Sequence, residues 1–338
     1  MSTVFLGTSE FAAEILARLA GSEAHRPALV LTRPDRPRGR GRRLASPPVA
    51  ARARALGIPL EQPTSVNDPQ ARTLIAEAGR SGGGAVAGGG GGGGDGEDGE
   101  GGRQILIVCA FGALIREPLL SQHEILNVHP SLLPRWRGAA PIERAIMAGD
   151  AHTGVSIMRL TAGLDSGPVC LAANEAIRPE DSYGSLAPRL AQLGGELLLR
   201  ALEETPPFVE QPEQGITYAE KIGSQDRLLD PGRPAAELER VVRALHPHIG
   251  ARVALADGWL LGVHRAALLE AEPPGAEAAA VHAPANGERI GAAVVARDGR
   301  LLLECSPGLL ELLEVQPAGG RAMDAPSYLR GHSPPGRR

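Results

Sequence analysis

The chain has 338 residues, 44 of them glycine, and 43% of its side chains are hydrophobic but only 3% aromatic. Its 35 basic and 39 acidic residues leave a formal charge of −4. That length supports two domains with sizeable cores, the glycines follow no collagen period, and no stretch of about 18 uncharged apolar residues makes a membrane helix.

Residues 4–7 read as a short buried strand, with no basic leader region ahead of it, so export is not expected. Thr8-Ser9-Glu10 then caps a helix whose apolar positions are Phe11, Ile15, Leu16 and Leu19. A second apolar strand spans 28–32, and an arginine- and glycine-rich loop spans 33–44. Helices are expected over 47–56, with proline at the start, and over 68–78. Residues 81–102 contain 14 glycines and four acids and no base, too little apolar surface to offset the entropy of ordering. They read as a disordered surface insertion. A phosphate-binding glycine loop is the weaker reading, because no Lys-Ser/Thr follows and four carboxylates repel phosphate.

The continuous apolar run 104–111 has the length of a strand covered on both faces. Strands over 125–129 and 154–160 flank a helix over 141–148. Strands alternating with helices imply an α/β domain with a mostly parallel sheet over residues 1–205. Residues 206–225 start proline- and glutamate-rich and read as a linker. After it a helix over 235–245 leads into short strands over 252–256, 259–266, 292–296, 301–305 and 309–315, the pattern of a small β-barrel over 226–330. Residues 331–338 read as a disordered tail. Trp259 is expected in the barrel core, and Cys109 in the core of the first sheet. Cys109, Cys170 and Cys305 are too few and scattered for a disulfide framework, which fits a reducing cytoplasm.

Asn127 and His129 lie two apart at the end of an apolar strand, so both side chains project to one face where open α/β sheets hold their ligands. An amide donor beside an imidazole suits acyl transfer: the amide donates to a developing oxyanion, and the imidazole donates or moves a proton. The proline-stiffened stretch 130–141, with Trp136 between two arginines, has the makings of a wall for a flat ligand. The turn Gly163-Leu164-Asp165-Ser166-Gly167 presents one carboxylate, of the kind that fixes a histidine tautomer. Taken singly, an Asn-x-His at a strand end and a glycine-flanked turn are more often structural than catalytic. His246 and His248 lack further ligands at metal-binding spacing and read as a surface turn, so no metal site is expected.

The run NVHPSLLPRWRGAAPIE (residues 127–143), with TGVSIMRL and GLDSG after it, resembles the 10-formyltetrahydrofolate-dependent formyltransferases. Further matches are FLGTSEFAAEIL, TRPDRPRGRGRRL and CAFGALI upstream and TYAEKI and LEVQPAGGRAM downstream, which are similar to the tRNA-modifying branch. The resemblance implies a Rossmann-like domain followed by an OB-like barrel that binds tRNA. It implies 10-formyltetrahydrofolate as formyl donor, the methionine α-amine of methionyl initiator tRNA as acceptor, and no metal. Asn127, His129 and Asp165 match the family's catalytic positions, and Ser131, Leu132, Leu133 and Pro134 its folate-contacting stretch. Departures are Phe111 where tyrosine is usual, Arg116 where proline is usual, and His246-Pro247-His248-Ile249 in place of an Asn-Pro-Trp-Pro type turn.

The average charge conceals a contrast. The insertion carries four negative charges, while residues 33–43 hold six arginines against the single acid Asp35. A charge run is most often a solvated loop, but the resemblance makes this one the loop that enters the acceptor end of the tRNA, with Arg36, Arg38, Arg40, Arg42 and Arg43 as contacts and Arg40 at the matching position. Few aromatics make base stacking a minor contribution, so contact with RNA is expected to be electrostatic. A monomer is expected. The alternatives are a formyltransferase for a nucleotide-linked amino sugar, a formyltetrahydrofolate hydrolase, and a non-catalytic RNA-binding module. Neither of the enzymes accounts for the arginine loop, and the last does not account for Asn127, His129 and Asp165 together.

Overall fold

A computed structural model describes residues 1–38, 43–81, 103–255, 258–269 and 294–331. Residues 82–102 of the expected insertion, Arg40 and Arg42, and the tail after 331 lie outside the described residues. The chain divides into two compact units that interleave in sequence. The first takes Met1–Pro141, His152–Ala176 and Ala187–Ala219, and the second Ile142–Ala151, Ile177–Leu186 and Glu220–Arg338.

The elements in chain order are β1 (Ser2–Gly7), α1 (Glu10–Ala20), β2 (Leu29–Leu31), β3 (Arg36–Arg38), β4 (Arg43–Ala45), α2 (Pro48–Ala55), β5 (Leu60–Glu61), α3 (Pro69–Ser81), β6 (Gln104–Cys109), α4 (Leu119–Gln122), β7 (Glu124–His129), β8 (Arg137–Gly138), α5 (Pro141–Ala148), β9 (His152–Arg159), β10 (Val169–Ala176), α6 (Tyr183–Glu204) and β11 (Tyr218–Ala219). They continue with a 3-10 turn (Gln225–Arg227), α7 (Ala235–Leu245), β12 (Ala251–Ala254), β13 (Leu260–Leu269), β14 (Val294–Arg297), β15 (Arg300–Glu304), β16 (Leu309–Gln316), β17 (Met323–Asp324) and α8 (Ala325–Gly331).

Seven strands of the first unit form one sheet in the order β10-β9-β7-β6-β1-β2-β5. Pairings from β5 through β7 are parallel, and β9 runs antiparallel to both β7 and β10. The chain works outward from β1 in both directions, so the strand order reverses beside it and opens the crevice where such sheets bind ligands. Val4, Phe5, Leu6, Leu106 and Ile107 are inaccessible to solvent, as strands covered on both faces require. Helix α1 starts where Ser9 accepts a hydrogen bond from the Ala12 N–H, and it buries Phe11, Ile15, Leu16 and Leu19. Helix α6 lies close to the sheet through Gly194, where a Cβ would meet Val128 Cγ1 at 3.0 Å. Cys109 is fully buried in β6, and desolvation pushes its thiol far above the ordinary range.

The expected arginine loop is folded at both limbs. β3 and β4 pair antiparallel, with Arg36 opposite Ala45 and Arg38 opposite Arg43. Its one acid anchors the base: Asp35 accepts hydrogen bonds from Gln62 Nε2 (2.8 Å) and Ser46 Oγ (2.9 Å). Those two bonds, Gln62 first, hold its carboxyl below the usual carboxylate range.

In the second unit the strands form an antiparallel sheet in the order β12-β13-β16-β15-β14, with β17 on β16. This small β domain is the one the strand spacing predicts. Leu238, Val241, Val242 and Leu245 of α7 pack with Val253, Leu261, Val263, Leu303, Leu310 and Val315 as its core. Trp259 is not part of that core, because it is 63% exposed. Alternation puts it on the face of Leu261 and Val263, but it precedes β13 at the hairpin tip, where the packed layer ends. His248 is more than a surface turn: its ring stacks on Tyr183 at 3.6 Å, and Nε2 lies 2.9 Å from Glu143 Oε1. His248→Ala is expected to lower the melting temperature by a few degrees, about 1–2 kcal/mol. An unchanged melting curve contradicts that role.

Candidate active site

Asn127 and His129 occupy the C-terminal end of β7, between Val108 of β6 and the Met158 and Ser156 of β9. Both are nearly buried, at 8% and 4% exposure. The turn after β9 brings Asp165 to them. Asn127 Nδ2 is 3.4 Å from Asp165 Oδ1, and His129 Nδ1 is 3.7 Å from Asp165 Oδ2. The Asp165 Oδ2 also accepts a hydrogen bond from the Gly138 N–H at 2.8 Å. Three residues separated by up to 38 positions thus meet around one half-enclosed carboxylate, where low polarity strengthens electrostatic contacts.

Asp165 is not what fixes the imidazole tautomer. A separation of 3.7 Å is too long for a hydrogen bond. His129 Nε2 lies 2.8 Å from the Trp136 carbonyl, which can only accept, so Nε2 carries the proton that is donated there. That leaves Nδ1 as the ring nitrogen turned toward Asp165. The carbonyl reaches His129 because Trp136 turns through a left-handed φ of 62°. Its N–H donates to Thr217 Oγ1 at 2.9 Å, and the Arg135 guanidinium lies over its ring at 4.4 Å.

The stretch from Ser131 to Pro134 follows directly. Ser131 is fully buried, and its hydroxyl donates to the Arg135 carbonyl at 2.6 Å, so that side chain shapes the loop instead of facing a ligand. Ser156 Oγ donates to the Ser131 carbonyl (2.8 Å) and accepts from the Leu133 N–H (3.2 Å), which ties the loop to β9. Leu132, Leu133 and Pro134 are half-buried and form the apolar side of the loop. Gly154 makes room for it, since a Cβ there would lie 2.6 Å from Leu132 Cδ2 and 2.1 Å from the Ala173 carbonyl.

Arg36 is exposed on β3, and Arg38 and Arg43 close the described part of the hairpin. An open cavity of about 180 Å³ lies at its foot, between Thr8, Arg33, Arg36 and Pro47. A slightly larger one, about 190 Å³, opens at the far end of the sheet between Glu124 and Arg159, away from Asn127, His129 and Asp165. No group of three or more His, Cys, Asp or Glu side chains among the described residues is arranged to hold a metal ion. No helix among them is long and apolar enough to cross a membrane.

The site depends on groups that the motifs do not reveal: the Trp136 carbonyl, the Gly138 N–H, Ser156, Thr217 and Gln211. Their contacts span 7 to 81 residues, and no local pattern signals them.

By its two family matches the chain is a formyl transferase. The "Formyl transferase" family model matches residues 102–202, and the "Formyl transferase, C-terminal domain" model matches 221–333. The methionyl-tRNA formyltransferase of Dechloromonas aromatica is 37% identical over 336 residues, 98% of this chain and 96% of that protein. The methionyl-tRNA formyltransferase of Dinoroseobacter shibae is 38% identical over 341 residues, 100% of this chain and 99% of that protein. The fold is also that of WlaRD, a sugar 3N-formyl transferase crystallised in the presence of dTDP and 5-N-formyl-THF. Its TM-score is 0.57 at 12% identity, over 92% of this chain and 96% of that one. The chain belongs to the methionyl-tRNA formyltransferase family.

Proposed function

We infer that this chain moves the formyl group of 10-formyltetrahydrofolate onto the α-amine of methionyl initiator tRNA, the step that prepares the tRNA for translation initiation. The observation that carries this reading is the convergence of the Asn127 amide, His129 Nδ1 and the Asp165 carboxylate, in a chain whose full-length relatives are methionyl-tRNA formyltransferases.

The neutral amine attacks the formyl carbon, and the C=O electron pair moves onto oxygen. Asn127 Nδ2 donates to that oxyanion, and His129 donates from Nδ1 when protonated there, its charge faced by Asp165. His129 is held before reaction by its bond to the Trp136 carbonyl, the kind of fixed donor that makes oxyanion stabilisation effective. Asp165 accepts the proton released by the amine, directly or through water. Collapse of the tetrahedral intermediate breaks the bond to N10 of the folate, which takes up a proton. The contacts of 3.4 and 3.7 Å leave these groups to tighten around a substrate, as catalytic hydrogen bonds commonly do.

The apolar loop of Leu132, Leu133 and Pro134, beside the strand end and stiffened by two prolines, suits a flat folate ring. We assign catalysis to residues 1–205 and tRNA binding to the arginine hairpin together with the β domain of residues 226–330. Arg36, Arg38, Arg40, Arg42 and Arg43 contribute phosphate contacts from the arginine-rich segment 33–43. Arg40→Ala is expected to lower kcat/KM for charged tRNA by about tenfold or more, with KM for the folate unchanged. Equal losses for both substrates contradict its assignment to RNA. A panel that offers either methionyl-tRNA or a nucleotide-linked amino sugar separates this reading from the alternative. Product from the sugar and none from the tRNA overturns it.

A further inference from the structure

We propose that Gln211, clamped by Arg137, is a positioning residue that sets the Asp165 carboxylate against Asn127 and His129. The inference rests on the reading of Asp165 given above.

Asp165 has a left-handed φ of 42°, a conformation that costs about 1–3 kcal/mol and persists only where the surroundings impose it. Gln211 imposes it. Its Nε2 donates to the carbonyls of both Asp165 and Gly167, at 2.8 Å each, and so brackets the turn. The chemistry of its partners fixes the orientation of the glutamine amide. The Arg137 guanidinium has only donors, and its Nε and Nη2 reach Gln211 Oε1 at 3.0 and 2.7 Å. The amide nitrogen must therefore face the turn.

Arg137 is itself 8% exposed and among the described residues makes no ion pair. A guanidinium buried against a neutral amide is a poor source of stability, but its charge-assisted bonds hold that amide rigidly. The next residue, Gly138, binds the Asp165 carboxylate through its N–H. One short strand thus grips the carboxylate directly and, through Gln211, the backbone that carries it. The segment around Gln211 is fastened in turn, since Val209 and Val169 exchange both backbone hydrogen bonds, at 2.8 and 2.9 Å. The turn lies close against β9, where a Cβ at Gly167 would be 2.0 Å from the Arg159 carbonyl.

The test is a double-mutant cycle of Gln211→Glu and Asp165→Asn, measured as kcat, KM for both substrates and melting temperature. Glutamate keeps the acceptors for Arg137 and removes both bonds donated to the turn. Gln211→Glu is expected to lower kcat on the order of 10- to 100-fold, the scale of a misplacement of about 1 Å, with each KM within about threefold. In the Asp165→Asn background it is expected to add no further loss, because the two changes act on one group. Wild-type kcat in Gln211→Glu, or its full loss repeated in the double variant, overturns the positioning role while leaving the reading of Asp165 intact. Wild-type kcat in Asp165→Asn overturns both. Should Gln211→Glu not fold, Arg137→Lys enters the same cycle: it keeps the charge, loses the paired grip on the amide, and carries the same expectation of non-additive loss.

Discussion

Asn127→Ala and His129→Ala are each expected to reduce formyl transfer by about 10²- to 10³-fold or more, in proteins that remain folded. The magnitude is that of removing one preorganised oxyanion donor or proton-transfer group. The two variants differ in their structural cost. Among the described residues the side chain of Asn127 makes one hydrogen bond, the long one to Asp165 at 3.4 Å, so truncation orphans no strongly bonded partner and melting changes little. His129→Ala leaves the Trp136 carbonyl without its donor, which costs about 1–2 kcal/mol. Activity and melting temperature, measured on the same preparations, separate chemistry from folding. Near-full turnover in either variant contradicts the catalytic assignment. Collapse of the fold in Asn127→Ala contradicts the account of its local packing.

Asp165→Asn is expected to lower kcat by about two orders of magnitude or more, while KM for both substrates and the melting temperature stay close to wild type. Asparagine has the same shape, still accepts from the Gly138 N–H, and tolerates the left-handed backbone at least as well as aspartate. What it lacks is the negative charge facing His129 Nδ1, the capacity to take a proton, and the second acceptor oxygen, whose place opposite Asn127 Nδ2 an amide N–H takes. Asp165→Ala removes the same chemistry but also loses the bond to Gly138 and places alanine at a φ of 42°. It is therefore expected to match Asp165→Asn in kcat and to melt lower, by about 1–3 kcal/mol. If Asp165→Asn turns over normally and only Asp165→Ala is impaired, the carboxylate serves the fold and not the reaction.

Much of the fold is legible because its signals are local. The apolar run 104–111 contains β6, the predicted helix over 141–148 coincides with α5, and the strand ending in Asn127 and His129 lies within β7. Each of the five expected C-terminal strands overlaps an observed one, β12 to β16, with ends that differ by up to three residues, while β17 has no expected counterpart and positions 256, 292 and 293 lie outside the described residues. The resemblance carried by residues 127–143 and 163–167 points to the right family, as the full-length relatives show.

What stays hidden depends on non-local contact. Helix α6 contains Pro188 and the pair Gly194-Gly195, which read as breakers. The glycines instead let the helix approach β7 and α1. β10 is the edge strand of the sheet, paired with β9 and bridged at Val169 to Val209, and is half-buried in alternation, too weak a pattern to stand out. The arginine run reads as an unpaired loop, because nothing in its composition announces that Asp35 will be pinned by Gln62 across 27 residues. The proline-rich stretch after residue 205 reads as a passive linker, yet Gln211 within it reaches the Asp165 turn. The partner of His129 is a main-chain carbonyl, which a sequence motif of side chains has no means of specifying.

The most direct measurement of the central claim is a transfer assay with 10-formyltetrahydrofolate and two charged acceptors, methionyl initiator tRNA and methionyl elongator tRNA. Formylated product and tetrahydrofolate in equal amounts from the initiator, with little or none from the elongator, is the predicted result. Formate released at the same rate with or without tRNA, or equal formylation of both tRNAs, contradicts it.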